Sequence, residues 1–300
     1  MDTRARAIDT VIAEAPTGRL ARSLRRSIRR VGVGLCVGTY FAASPFGYAI
    51  FALWCALPTR DPARRARRLR AVVSAAFRSM HAFLRWARIV DFDPSLHAAQ
   101  VPAGPCVLVA NHPTLMDISA LLAADSNLVF PVKPSLFNSF WARPLLRQAG
   151  PFEGAGQDPL RVARMIEAAV ERLAAGQRVI IFPEGTRSPE RGLHPFGRVA
   201  FEIAERAAVP LVPLVIRCEP RFLGKTSGFA NPPVDLPRFW IEVLEPIEPG
   251  SPERAGSSSR RLRDIVAHRI RRSLEQVDGA HTEAGRRSAC SSLSRINSNT

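Results

Sequence analysis

Three hundred residues, 46% of them hydrophobic, are enough for one large domain or two small ones with a real core, which excludes a disulfide-stapled miniprotein. The five cysteines (Cys36, Cys55, Cys106, Cys218, Cys290) are scattered, odd in number and without a Cys-x-x-Cys pair, so they read as reduced thiols and not as a metal site. The formal charge of +16 is accompanied by no nucleic-acid motif and no interleaved aromatics, which sets nucleic acid aside as a partner.

The charge is concentrated. Residues 1–30 hold eight Arg and three acids, 60–70 six Arg and one acid, and 251–300 ten Arg and five acids, so each block contributes +5 and residues 71–250 only +1. Two of these blocks bracket Val31 to Leu57, 27 residues without a charge. About 20 apolar residues suffice to span a bilayer as helix. Pro45, followed by Gly47, interrupts the helix near its middle, and two basic flanks both favour the cytoplasmic side. A bent, re-entrant or monotopic hairpin satisfies both flanks, with a buried core helix as the alternative. The segment is too long and too far from the start to be a signal peptide. Anionic lipid headgroups are the partner this arrangement suits, at the cytoplasmic face of the inner or plasma membrane.

Residues 71–88 predict a helix with an apolar stripe of Val73, Phe77, Met80, Leu84 and Ala87, able to lie on a membrane or pack on the domain. From about residue 100, short β-rich runs alternate with helical ones: Cys106–Ala110, Leu128–Val132, Val179–Phe182, Leu211–Ile216 and Phe239–Leu244. Such alternation means α/β. One intervening helix is punctuated by Asp158 as N-cap, Pro159 at N1 and Gly176 past the end, and a second covers about Arg198 to Ala208. Leu262, Val266, Ile270 and Leu274 predict an amphipathic helix near 261–277, followed by a polar end. The chain thus divides into a basic N-terminal region, 1–70, with a membrane-inserting segment at 31–57; a catalytic domain, 71–248; and a basic tail, 249–300.

Two stretches carry chemistry. In Ala110-Asn111-His112-Pro113-Thr114-Leu115-Met116-Asp117, a histidine and an aspartate stand five apart just after an apolar run. A histidine serves as general base when one ring nitrogen faces the substrate and the other donates to a carboxylate. Five residues is not the spacing of one helical face, so the pair requires His112 in a strand-to-helix turn and Asp117 in the helix's first turn. In Ile180 to Ser188, IIFPEGTRS, a strand runs into a turn where Gly185 permits close backbone approach, Thr186 offers a hydroxyl and Arg187 a guanidinium, a set suited to an anion. Glu184 is an acceptor for a substrate hydroxyl or an internal partner for Arg187. Each stretch has a structural reading when taken alone.

Together the blocks Asn111-His112-x-x-x-x-Asp117 and Phe182-Pro183-Glu184-Gly185-Thr186-Arg187-Ser188 resemble those of the lysophosphatidate acyltransferase family, in its order and at a family-like separation. Val209-Pro210-Leu211-Val212-Pro213-Leu214 is similar to the family's later Val-Pro-containing element, and the resemblance covers roughly residues 80–247. It implies a central mixed sheet flanked by helices, preceded by the membrane-anchoring segment. It also implies a membrane-bound O-acyltransferase, moving a fatty acyl group from acyl-CoA or acyl carrier protein to a lysophospholipid hydroxyl, with lysophosphatidate as the leading acceptor and no cofactor or metal. By the resemblance His112 is the base, Asp117 orients it, and Lys133 accompanies Arg187 around a phosphate. Asn111 either holds the turn or approaches the developing oxyanion. The middle block departs from the family: Gly150-Pro151-Phe152-Glu153-Gly154-Ala155-Gly156 ends without a basic residue, which leaves room for a different hydroxylated lipid. A lipid or thioester hydrolase and a noncatalytic membrane scaffold are the remaining alternatives.

Overall fold

The computed structural model describes residues 23–24, 26–36, 38–39, 42, 53, 58, 61–93, 101–140, 142–156, 158–225 and 232–276. Asp61 caps the first long helix, α1 (Pro62–Trp86), by accepting from the Arg64 N–H at 2.9 Å, with Pro62 at the position where its missing N–H costs nothing. This helix begins nine residues earlier than the apolar stripe suggested, because its first turns are almost purely arginine and alanine and carry no stripe. Then follow β1 (Asp91–Phe92), β2 (Val107–Ala110), α2 (Asp117–Ala124), β3 (Leu128–Val129), β4 (Pro131–Val132), α3 (Pro134–Phe137), α4 (Arg143–Ala149) and β5 (Phe152–Glu153). The chain continues through α5 (Pro159–Ala174), β6 (Arg178–Ile181), α6 (Val199–Ala207), β7 (Leu211–Glu219), β8 (Arg238–Val243) and a last helix, α7, over residues 259–276.

Six strands form one mixed sheet in the order β1-β8-β7-β2-β6-β3. Neighbours are parallel except β7 and β8, which run antiparallel. The stretch Leu128–Val132, expected as one strand, is two: β3 joins the main sheet beside β6, while β4 pairs with β5 in a separate parallel ribbon. A single intervening residue, Phe130, turns the chain from one to the other and accepts from the Phe152 N–H at 3.3 Å.

Side-chain alternation along the central strands divides the core in two. Val107 and Val109 of β2, with Val179 and Ile181 of β6, face one layer made by α5, α6 and α7. Leu108 and Ala110, with Ile180, face the other, where Ile89, Ala120 and Leu121 pack. Strands covered on both faces are apolar throughout, as the unbroken burial of β2 shows. Asp158 caps α5 by accepting from the Leu160 N–H at 3.0 Å, and Gly176 follows its end at φ 79°. The expected amphipathic helix near 261–277 is α7, whose Leu262, Val266 and Ile270 are fully buried in the first layer.

Most of residues 31–57 lie outside the described residues, as do 1–22 and 277–300. In the described part, residues 26–36 are helical. Val33 is buried in the second layer near Ile89, and Arg29 donates to the carbonyls of Arg88 and Ile89 at 3.3 and 3.1 Å. Leu24, Ile28, Val31 and Leu35 on the same stretch are exposed. Among the described residues no helix is long and apolar enough to cross a membrane.

Candidate active site

The site forms where β2 and β6, neighbours and parallel, end side by side. Each leads directly into one of the two sequence blocks, so the sheet brings together residues 70 positions apart. Asn111, first after β2, clamps the turn to the adjacent strand: its side-chain amide donates to the Ile216 carbonyl at 2.9 Å and accepts from the Ile216 N–H at 2.8 Å. With its amide held on β7 and the residue buried, Asn111 sits as a continuation of the backbone ladder.

His112 follows in the turn, and Asp117 opens α2. The imidazole Nδ1 lies 2.6 Å from Asp117 Oδ2. The same oxygen accepts from the Thr114 N–H at 2.9 Å, and Oδ1 accepts from the Thr114 hydroxyl at 2.5 Å. That hydroxyl in turn accepts from the Met116 N–H at 3.1 Å. The five-residue loop is therefore wound around its own carboxylate, which is wholly buried while the imidazole keeps 23% of its surface exposed. Burial pushes the Asp117 carboxyl above its ordinary value, opposed by its bonds to His112 and Thr114. With Nδ1 carrying the proton toward Asp117, Nε2 is left with a lone pair for a substrate proton. The ring stacks on Phe182 with centroids 4.3 Å apart and planes 20° from parallel, which fixes its second face.

Glu184 ties the second block to the first. Its Oε1 accepts from the His112 N–H at 3.1 Å and from the Ser188 hydroxyl at 2.5 Å, while Oε2 accepts from the His194 N–H at 2.8 Å. The Ser188 N–H returns a bond to the His112 carbonyl at 2.7 Å. Both carboxylate oxygens are thus engaged in holding the His112 turn, and no ion pair joins Glu184 to Arg187 among the described residues.

Arg187 instead turns toward the loop after β7, where its Nη1 donates to the carbonyls of Leu223 and Gly224 at 3.1 and 2.7 Å. Leu223 also accepts from the Leu115 N–H at 3.0 Å, so this loop bridges both blocks. Arg221 strengthens the link by donating to the carbonyls of Ser188 and Pro189. Among the described residues only Nη1 of Arg187 is engaged, which leaves the rest of its planar fork for a ligand. Gly185 and Thr186 are exposed; Gly185 adopts φ 66°, and a Cβ there would meet open space, so backbone conformation alone calls for glycine. Lys133 stands exposed at the end of β4, as the residue preceding α3.

Gly156, where the middle block ends without a basic residue, takes φ 60°. Glu153 accepts from Asn138 at 3.1 Å and lies 3.8 Å from Arg161. Cysteine chemistry is remote from the site's needs: burial raises the Cys106 thiol to about 11 and the Cys218 thiol to about 12, so both are protonated at neutral pH.

Sequence reasoning passed over Thr114, Phe182, Ser188 and the Leu223–Gly224 carbonyls. The first three lie inside or beside the quoted blocks, so position was a signal without a role. The two carbonyls carry no side-chain signature.

A family model described as Acyltransferase matches residues 94–217. The chain is 34% identical over 115 residues to the chloroplastic 1-acyl-sn-glycerol-3-phosphate acyltransferase BAT2 of Brassica napus, covering 37% of this chain and 33% of that protein. It is 30% identical over 149 residues to 1-acyl-sn-glycerol-3-phosphate acyltransferase alpha of Mus musculus, covering 49% and 51% respectively. The human alpha enzyme is 32% identical over 152 residues, covering 48% and 53%. The chain thus spans a third to about half the length of these curated relatives. The crystal structure of the 1-acyl-sn-glycerophosphate acyltransferase PlsC from Thermotoga maritima superposes with a TM-score of 0.62 at 23% identity, over 86% of this chain and 98% of that one, a likeness of fold. Residues 94–217, which hold both blocks and the His112–Asp117 pair, are thus similar to the Acyltransferase family.

Proposed function

We propose that the protein is a membrane-associated O-acyltransferase that transfers a fatty acyl group from acyl-CoA or acyl carrier protein to the free hydroxyl of a lysophospholipid, with 1-acyl-sn-glycerol-3-phosphate giving phosphatidic acid as the leading reaction. The observation that carries this reading is the 2.6 Å contact between His112 Nδ1 and a fully buried Asp117, with the imidazole still open to solvent. His112 Nε2 takes the proton of the acceptor hydroxyl as its oxygen attacks the thioester carbonyl. The tetrahedral intermediate then collapses, the C–S bond breaks, and the departing thiolate recovers the proton from the imidazolium. Asp117 holds the tautomer and stabilises the transient positive charge. No acyl-enzyme is required, consistent with the buried, protonated state of Cys106 and Cys218.

The unused part of the Arg187 fork is suited to a phosphate, and Lys133, at the end of β4, supplies a second cation in this reading. The exposed Leu24, Ile28, Val31 and Leu35 recur at steps of four, three and four on one helical stretch, with Phe83 and Trp86 of α1 also exposed. This supports attachment to a membrane surface, and the basic flanks of residues 31–57 favour its cytoplasmic face. A different hydroxylated lipid is the second reading of the acceptor, favoured by the missing cation at Gly156. Purified full-length protein offered lysophosphatidate with oleoyl-CoA or oleoyl-acyl carrier protein is expected to yield phosphatidate by mass spectrometry. Transfer to other lysolipids alone selects the second reading, and release of free fatty acid without ester product with every acceptor refutes acyl transfer.

A further inference from the structure

At the end of the sheet opposite His112 lies a groove of about 770 Å³, within the usual size of a small-molecule site. Strand polarity fixes its place: Gln177, on its wall, precedes the first residue of β6, whereas Glu184 follows the last. Five arginines converge on it from three elements, Arg65, Arg67 and Arg70 from α1, Arg147 from α4 and Arg172 from α5. None of the described residues that line it is acidic.

Two of these arginines are held in place. Arg70 donates to the carbonyls of Ser126 and Ala149 at 3.2 and 3.3 Å and to Asn127 Oδ1 at 3.4 Å, and Arg172 Nε donates to the Gly150 carbonyl at 3.0 Å. Gly150 itself takes φ 110°, and a Cβ there would stand 3.1 Å from Val129 Cγ1 and 3.2 Å from Gln177 Nε2, so this wall of the groove calls for glycine. Arg67 and Arg147 are exposed and make no hydrogen bond or ion pair among the described residues.

An ordinary explanation is that arginines here neutralise the C-terminal ends of α4 and α5. Each helix end contributes only about half a negative charge, so two ends balance about one guanidinium, fewer than the Arg67, Arg70, Arg147 and Arg172 set. Asp125, the nearby acid that favours the charged form of Arg70, is itself paired with Arg178 at 2.8 Å. Burial and then the charges of Arg67 and Arg172 lower the Arg70 pKa, a sign of unrelieved like-charge crowding. A concave surface where Arg67 and Arg147 stand unpaired among the described residues beside the held guanidiniums of Arg70 and Arg172 is suited to a multiply charged oxyanion, since planar forks already in place lose little freedom on binding.

We propose that this groove is a second anion site, remote from the catalytic histidine, for a phosphate-bearing ligand with more than one negative charge. The shared chemistry is the phosphate group, carried by a soluble phosphoester or by a lipid headgroup. The inference does not rest on the acyl-transfer reading.

Detergent-solubilised full-length protein is titrated with inorganic pyrophosphate by calorimetry, and its binding to phosphatidylcholine vesicles with and without phosphatidic acid is measured by flotation. The Arg67→Ala/Arg147→Ala double variant is compared with Arg64→Ala/Arg68→Ala, which removes equal charge from α1 outside the groove, and with Arg187→Ala. A saturable pyrophosphate-binding phase that weakens roughly tenfold or more in the groove variant, is unchanged in Arg64→Ala/Arg68→Ala and is distinct from any phase lost in Arg187→Ala supports a soluble ligand. Loss of the phosphatidic acid preference in the groove variant alone supports a headgroup. Equal losses in both double variants mean diffuse charge and overturn the proposal. So does loss in Arg187→Ala alone, which would place the anion at the catalytic centre, or absence of binding to either probe. Should the alanine pair misfold, Arg67→Lys/Arg147→Lys, which keeps charge without the fork, is read in the same way.

Discussion

Replacing Asp117 by Asn separates the charge of this residue from its geometry. Two donors, His112 Nδ1 and the Thr114 N–H, converge on Oδ2, the latter at 2.9 Å. An asparagine must place its carbonyl oxygen there, because an NH2 group would face both donors. Its NH2 then meets the Thr114 hydroxyl, which rotates to accept. The histidine tautomer survives, and what disappears is the negative charge beneath the imidazolium. Two unit charges about 4 Å apart at an effective dielectric near 20 interact by about 4 kcal/mol, which is about 10³-fold in rate. Partial exposure of His112 screens this, so kcat is expected to fall roughly 10²- to 10³-fold. Adding Asp117→Asn to His112→Ala is expected to cost little more, since the carboxylate acts only through the ring. Stability provides an independent readout. Burial raises the folded-state pKa of Asp117 above its ordinary value, so protonation favours the folded protein, and stability is lost as pH rises through the elevated value. The Asn variant is therefore expected to melt above the wild type at neutral pH, with the difference closing as pH falls toward the unfolded-state value. Steady-state acyl transfer and thermal melts from pH 4 to 8 test both. A loss under about fivefold would refute the role of the charge, and one above about 10⁴-fold would mean the tautomer was not preserved.

Glu184→Ala strands the His194 N–H, removes the acceptor of the Ser188 hydroxyl and leaves the His112 N–H only its bond to Ser188 Oγ, and is expected to lower unfolding free energy by about 1–3 kcal/mol in urea titrations; an effect within about 0.5 kcal/mol would contradict its clamping role. Arg187→Ala is expected to reduce kcat/KM roughly tenfold to 150-fold for an acceptor with a phosphate monoester, from a contact of about 1.5–3 kcal/mol, and much less for a matched acceptor without it. Equal losses on both would make Arg187 a structural tie to Leu223 and Gly224 or a donor contact. If residues 31–57 enter a bilayer, high salt leaves the full-length protein on membranes and detergent releases it; complete release by salt would reduce attachment to surface charge.

Local pattern was enough for the α/β alternation, the cap Asp158 could be recognised by residue type, and the requirement that His112 lie in a turn and Asp117 at a helix start follows from their spacing alone. These are short-range properties, set by periodicity and by which residues can cap or turn a chain. Tertiary structure decided what lies across the sheet. The pairing of β2 with β6 places Glu184 and Ser188 against the His112 backbone, and nothing in a linear spacing of 72 residues specifies that both Glu184 oxygens would be engaged there. The Leu223 and Gly224 carbonyls that hold Arg187 were illegible for a simpler reason: any residue supplies a carbonyl. The split of Leu128–Val132 depended on a competing partner strand, β5, too short to leave a periodic signal of its own. The arginines of α1 looked like one stretch of surface charge until packing against α4 and α5 set them around a groove, because a sequence records the sign of a charge but only the fold determines which charges face one another.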